Sequence, residues 1–234
     1  FNSVNLDYLP TADRNDIIYR MATSFLKVGK LDESIAWFET LRQTSTSYNK
    51  DSQYYIGYIR YTQGKYDAAL KYLLPLQTDQ KYGELVPYYI ASSYFIMGHY
   101  DKAQNVAEGY LTQYPRNKYS AEMYRILAES NYQFAQYNRA IQAFEKYLAS
   151  GSKLGRGSAY MLGMSYYNTG VYSKAVTYLG QAISDKDDTL TQNAYLNLGL
   201  SYLQLADKTN ARMAFEQASR SNADLAVKEQ ALYN

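Results

Sequence analysis

The chain contains no cysteine, a single histidine, a single tryptophan and only four prolines among its 234 residues. Without thiols it can form no disulfide, no thiolate nucleophile and no sulfur-ligated zinc site. The lone histidine, His99, follows Gly98 and reads as a surface turn residue; with no second histidine, a Ser-His-Asp arrangement or a transition-metal centre has little to build on. No run of 18 or more apolar residues is present, so no membrane-spanning helix is expected. Charge of one sign is also lacking: 24 basic and 22 acidic residues leave +2, no overall push toward nucleic acid or anionic lipid. The glycine-rich stretch 151–158, with Lys153 and Arg156, lacks phosphate-loop spacing and follows a helical pattern rather than a strand, so it reads as a flexible connector and hinge. The acidic run Asp185, Asp187 and Asp188 places Leu190 and Leu196 where a calcium loop needs glycine and glutamate. No metal and no cofactor are expected.

What is abundant is tyrosine, 29 residues, and a recurring unit. Gly29, Gly64, Gly98, Ala135, Gly170 and Ala206 follow one another at steps of 35, 34, 37, 35 and 36 residues. Five residues after each stands Ser34, Ala69, Ala103, Ala140, Ala175 or Ala211. Seven before each stands Ala22, Gly57, Ala91, Ala128, Gly163 or Gly199. Such a period marks an array of helical hairpins, none able to bury its apolar face alone. The small residues at these two places let antiparallel helices approach closely. The anchor Gly or Ala ends the first helix in the left-handed conformation that glycine accepts. Apolar residues at Phe38, Leu73, Ala107, Phe144, Leu179 and Phe215 recur on the faces that seal one hairpin against the next. Pro75 falls in a second helix and is expected to kink it or end it early.

The pattern resembles the tetratricopeptide repeat. The fifth unit carries it most fully, with Leu162, Gly163, Tyr166, Gly170, Tyr172, Ala175 and Ala182. The sixth adds Leu198, Gly199, Tyr202, Ala211, Phe215 and Ala218, and Pro115 stands at the repeat's terminal proline in the third. The resemblance implies an all-α fold, an α-solenoid of antiparallel helix-turn-helix repeats in a right-handed superhelix. Six units would span 13–225, starting near 15, 50, 84, 121, 156 and 192. Residues 1–12 would be the end of a preceding repeat's second helix and its turn, and 226–234 the start of a further helix, making the chain a segment of a longer array. Tyr110, Leu111, Tyr114 and Pro115, followed by Ser120, Ala121 and Tyr124, also resemble repeats of bacterial cell-envelope proteins, the Tol-Pal-associated and outer-membrane-assembly lipoproteins.

The family's usual binding surface is a concave groove lined by the first helices. Here it would carry Tyr19, Tyr54, Tyr55, Tyr58, Tyr61, Tyr88, Tyr89, Phe95, Tyr132, Tyr160 and Tyr167, with Arg125 and Leu196 standing where other repeats have tyrosine. Tyrosine offers rigid amphipathic area that loses little entropy on binding. Several of these rings sit at consensus places that pack between helices, whereas Tyr55, Tyr58 and Tyr89 depart from the consensus and point more strongly to a ligand. Lysines that clamp a peptide carboxylate in related repeats are replaced by Asp16, Asp51 and Glu122, so that clamp is absent. Paired carboxylates for glycoside hydrolysis would have to come from Asp16, Asp51, Glu122 and Glu129, of which the last two are seven residues apart on one helix. The expectation is a noncatalytic scaffold binding a protein or extended peptide, and no nucleic acid; the alternatives are an envelope-associated structural spacer and, more remotely, a carbohydrate-active helical enzyme.

Overall fold

In the computed structural model, which describes residues 8–234, the six anchor positions all take positive φ: 78°, 72°, 77° and 78° at Gly29, Gly64, Gly98 and Gly170, 54° at Ala135 and 59° at Ala206. Each anchor closes its helix with the same pair of backbone bonds. Gly29 N donates to Leu26 O (3.1 Å) and Lys30 N to Phe25 O (2.9 Å); the latter bond recurs as Lys65 to Arg60, His99 to Tyr94, Gln136 to Asn131, Val171 to Tyr166 and Asp207 to Tyr202. This is the glycine-type helix stop that satisfies the last carbonyls and reverses the chain.

Among the described residues there are thirteen α-helices and no strand. The chain divides into two units, Phe1–Tyr114 and Pro115–Asn234. The first holds α1 (Thr11–Lys27), α2 (Leu31–Thr44), α3 (Asn49–Thr62), α4 (Tyr66–Leu73), α5 (Val86–Ile96) and α6 (Tyr100–Gln113). Pro75 ends α4 early: the helix stops at Leu73 and continues as a 3₁₀ turn over Leu74–Leu76. The second unit holds α7 (Ser120–Gln133), α8 (Tyr137–Ala149), α9 (Arg156–Asn168), α10 (Tyr172–Ala182), α11 (Thr189–Gln204), α12 (Lys208–Arg220) and α13 (Leu225–Tyr233). The segment 1–12 read from the sequence as a helix end and turn falls largely on residues 1–7, outside the described ones; α1 itself begins at Thr11.

Within each unit a helix packs chiefly on its neighbours in sequence, and alternate helices touch as well, α3 with α5, α7 with α9, α9 with α11 and α11 with α13. That is nearest-neighbour packing, the signature of a repeat array. The small positions show why the hairpins close. A Cβ on Gly57 would come within 2.7 Å of the Leu73 side chain, one on Gly163 within 2.9 Å of the Leu179 backbone nitrogen, and one on Gly199 within 2.5 Å of the Phe215 ring. On the facing helices Ala69, Ala103, Ala140 and Ala175 are fully buried. Ser34 takes the same place in the first hairpin, and its hydroxyl donates to Ala22 O at 2.8 Å.

Candidate interaction surfaces of the two units

In the N-terminal unit the half-buried tyrosines of α1, α3 and α5 touch one another in an unbroken series. Tyr19 stacks on Tyr48 at 4.9 Å and meets Tyr55 edge-on at 6.1 Å. Tyr55 touches Tyr54 at 5.1 Å, and Tyr54 lies against Tyr58 at 6.2 Å and Tyr82 at 4.8 Å. Tyr58 then meets Tyr89 at 5.6 Å, which contacts Tyr61 at 5.0 Å and Tyr88 at 5.2 Å. Nine rings from three successive first helices and two turns thus form one aromatic sheet. Its floor is the buried Phe38, on which Tyr55 stacks at 4.8 Å with the rings 9° from parallel.

Hydroxyl bonds fix the rim. Tyr48 Oη donates to Asp16 (3.1 Å), Tyr82 Oη to Asp51 (2.6 Å), and Tyr61 Oη pairs with Ser92 Oγ (2.8 Å). Burial pushes the Tyr19, Tyr54 and Tyr82 hydroxyls above the ordinary tyrosine value, with neighbouring tyrosines or Asp51 adding to the effect, so these rings stay neutral donors. Asp51 and Asp79 also form a reciprocal clasp between α3 and the turn before α5. Lys81 Nζ reaches Asp51 at 2.7 Å, and Lys50 Nζ reaches Asp79 at 2.6 Å.

The rings at the last groove position of each first helix have a different job. Tyr61, Phe95, Tyr132 and Tyr167 each pack edge-on, at 5.4–6.1 Å, against Tyr66, Tyr100, Tyr137 and Tyr172 of their own hairpin. Among the described residues, Tyr132, Tyr160 and Tyr167 of the C-terminal unit do not stack on one another.

The C-terminal unit, without such a ring series, joins its repeats chiefly with polar side chains. Arg125 donates to Glu122 (2.8 Å) and to the buried Glu129 (2.9 Å), whose other oxygen accepts from Ser158 Oγ of the next first helix (2.5 Å). Burial works against the Arg125 charge, but the two glutamates outweigh it and raise its pKa. Arg156 forks onto both oxygens of Asp188 (2.8 and 2.9 Å) and adds bonds to Ala182 O and Thr191 Oγ1. The Arg156 guanidinium and the Thr191 amide hold Asp188 well below the usual carboxylate range while it caps α11. The buried Gln192 bonds Ala218 O, Ser221 O, Asp224 O and Asp224 N. Asn197 Nδ2 donates to Tyr160 Oη at 3.1 Å, and burial, reinforced by Tyr132, pushes Tyr160 up to about 12.

These contacts redefine several residues. The four groove carboxylates are engaged: Asp16 by Arg20 and Tyr48, Asp51 by Lys81 and Tyr82, Glu122 and Glu129 by Arg125. Two contacts flank the 151–158 connector: Tyr147 Oη donates to Lys153 O (3.0 Å), and Arg156 is committed to Asp188. His99 is exposed at the start of α6 with its ring 6.3 Å from Tyr94. Among the described residues no group of histidines and carboxylates could hold a metal ion, and no helix is long and apolar enough to cross a membrane. Nothing in the repeat pattern marks Tyr48 and Tyr82, which lie in inter-repeat turns where the repeat numbering assigns no groove place. Nor does that pattern join Ser158 to Glu129, since the whole of α8 lies between them in sequence.

Comparison with known proteins fits this architecture. The family model described as tetratricopeptide repeat matches residues 19–79, 89–154 and 160–226. No curated protein sequence matches the chain. Among solved structures, a tetratricopeptide repeat protein from Parabacteroides merdae shares 18% identity with a TM-score of 0.61, covering 93% of this chain and 98% of its own. The structure titled MamA AMB-1 shares 18% identity with a TM-score of 0.63, covering 77% of this chain and 98% of its own. MamA from Desulfovibrio magneticus shares 18% with a TM-score of 0.58, over 73% and 93%. At these identities the likeness speaks to the fold alone.

Proposed function

Because the chain belongs to the tetratricopeptide repeat family, whose members bind protein partners, we propose that it is a noncatalytic scaffold and that the tyrosine sheet of its N-terminal unit is the surface that grips the partner. The observation that carries this reading is the continuity of the nine rings across α1, α3 and α5. Most of them pack on the clusters around Phe38, Ile56 and Ile90; Tyr82 is buried, and the other eight stay partly exposed. Side chains already held by one another lose little entropy when a ligand lands on them. A protein segment in extended conformation suits the surface, since tyrosine provides both an apolar face and a hydroxyl donor along its length.

Within the eleven candidate residues the geometry favours a division of labour. Tyr19, Tyr54, Tyr55, Tyr58, Tyr88 and Tyr89 are the contact rings. Tyr61, Phe95, Tyr132 and Tyr167 brace their hairpins, and Tyr160 is tied to Asn197. A random peptide library selected on the full chain tests this. Selected peptides should lose at least about tenfold in affinity on a Tyr55→Ala/Tyr58→Ala/Tyr89→Ala variant whose thermal unfolding remains cooperative. A Tyr132→Ala/Tyr167→Ala variant should keep them. Retention of every selected peptide by the triple variant would refute the reading.

A further inference from the structure

Both units carry a cavity where successive inter-repeat turns come side by side, and the two cavities differ in charge. In the N-terminal unit a cavity of about 780 Å³ lies between turns 43–51 and 79–82. Each cation on it has an acid: Lys50 with Asp79, Lys81 with Asp51, Arg42 with Glu39. In the C-terminal unit a cavity of about 920 Å³ is lined by Arg116, Lys118, Tyr124 and Lys146, with Ser120 and Ser152 among its hydroxyls and no acid on its wall. None of these three cations ion-pairs with a carboxylate among the described residues, and all three are exposed. The acids nearest in sequence are used elsewhere. Glu122 and Glu129 hold Arg125, and Glu145 accepts from Tyr166 (2.8 Å) and Lys174 (3.4 Å). Between residues 115 and 153 there are six basic and three acidic residues and no aspartate.

We infer that the cavity formed by Arg116, Lys118, Tyr124 and Lys146 is a second docking surface, separate from the tyrosine sheet, and that its occupant is an aspartate- or glutamate-rich segment of a partner protein. Uncompensated cations on a concave wall raise the local concentration of anionic groups and speed their arrival. Two of the three are lysines, compact point charges on flexible stems, and the three are divided between the turn before α7 (Arg116, Lys118) and α8 (Lys146). That distribution suits several carboxylates spaced along a chain. A phosphate would add its strongest bonds through a bidentate guanidinium fork or a nest of backbone amides, and competition by inorganic phosphate separates it from a carboxylate-rich segment. A single-stranded nucleic acid would need a run of stacking rings, and Tyr124 is the one aromatic on this wall.

The probe is a fluorescein-labelled peptide of alternating glutamate and serine, titrated with the full chain at low salt and read by anisotropy. The Arg116→Gln/Lys118→Gln/Lys146→Gln variant should bind it at least about tenfold more weakly. A Lys186→Gln/Lys208→Gln/Lys228→Gln variant, which removes the same charge from the same unit, should change it less than about twofold. The Tyr55, Tyr58 and Tyr89 alanine variant should bind it normally, so failure of the tyrosine reading and failure of this one are separable. The inference is overturned if the wild type shows no binding below about 1 mM. Equal weakening by the two glutamine variants would overturn it too. So would a labelled single-stranded DNA that binds more tightly than the peptide, or inorganic phosphate that displaces the peptide at equal concentration.

Discussion

The two units use one repeat to make two different seams. In the N-terminal unit, repeats are joined by ring-on-ring contact: Tyr19, Tyr55 and Phe38 interlock across α1, α2 and α3, and Tyr54 stacks on Tyr82. In the C-terminal unit the ring series is missing and the repeats are held by hydrogen-bonding side chains, Glu129 to Ser158, Arg156 to Asp188, and Gln192 to the turn at 218–224. Charge follows the same division. The first 114 residues hold eleven basic and twelve acidic residues, and the remaining 120 hold thirteen and ten. Stacked rings seal by area and are indifferent to salt, and they leave aromatic faces available. Polar clasps are directional, fix one register, and commit the acids that would otherwise face neighbouring cations. One fold therefore presents an aromatic surface in one unit and a basic cavity in the other.

The comparison is most easily broken at its aromatic floor. Replacing the fully buried Phe38 with alanine should cost about 3–5 kcal/mol, through lost area and the cavity left beneath Tyr19 and Tyr55, measured by denaturant unfolding. The polar seam should be less costly to cut. Glu129→Ala leaves Arg125 with Glu122 alone and Ser158 without its acceptor, and should cost about 2 kcal/mol. Unlike the Phe38 loss, that deficit should shrink at high salt, where the stranded cation is better screened.

The helix stops sharpen the contrast further. The N-terminal unit has glycine at all three anchors, whereas the C-terminal unit has alanine at two. Gly64→Ala should therefore destabilise by about 1 kcal/mol, and Ala135→Gly, at φ 54°, should stabilise by somewhat less than that. Opposite shifts in melting temperature check the pair. The smallest effect concerns pH. The folded-state pKa of Asp188 is depressed, so its contribution is complete above the ordinary carboxylate value of about 3.9 and is lost as pH falls toward the folded value. The melting-temperature gap between wild type and Asp188→Asn should accordingly narrow from pH 6 to pH 2.

Much of the fold was legible because its determinants are local. The anchor spacing, the small residues facing each other across a hairpin and the proline at 75 each act within one repeat, and each does in space what its chemistry required. The tyrosine positions were legible too, because a first-helix place recurs every repeat. What each tyrosine touches was not. Tyr48 and Tyr82 come from turns whose length varies, and Arg125 looked like a simple break in the tyrosine series. Its partner Glu129 was visible on the same helix, but the burial that makes the pair matter arises only when α9 brings Ser158 against it. The basic cavity was hidden for a related reason. Net charge is nearly balanced, and only the pairing of Glu122, Glu129 and Glu145 elsewhere leaves Arg116, Lys118 and Lys146 uncompensated.

The central claim, that the interlocked rings of the N-terminal unit form the partner-gripping face, is tested most directly by hydrogen-exchange mass spectrometry of the full chain with and without a library-selected peptide. The account predicts slowed exchange in α1, α3 and α5, the helices that carry Tyr19, Tyr54, Tyr55, Tyr58, Tyr88 and Tyr89. Protection confined to α7, α9 and α11, with those three helices unchanged, would contradict it.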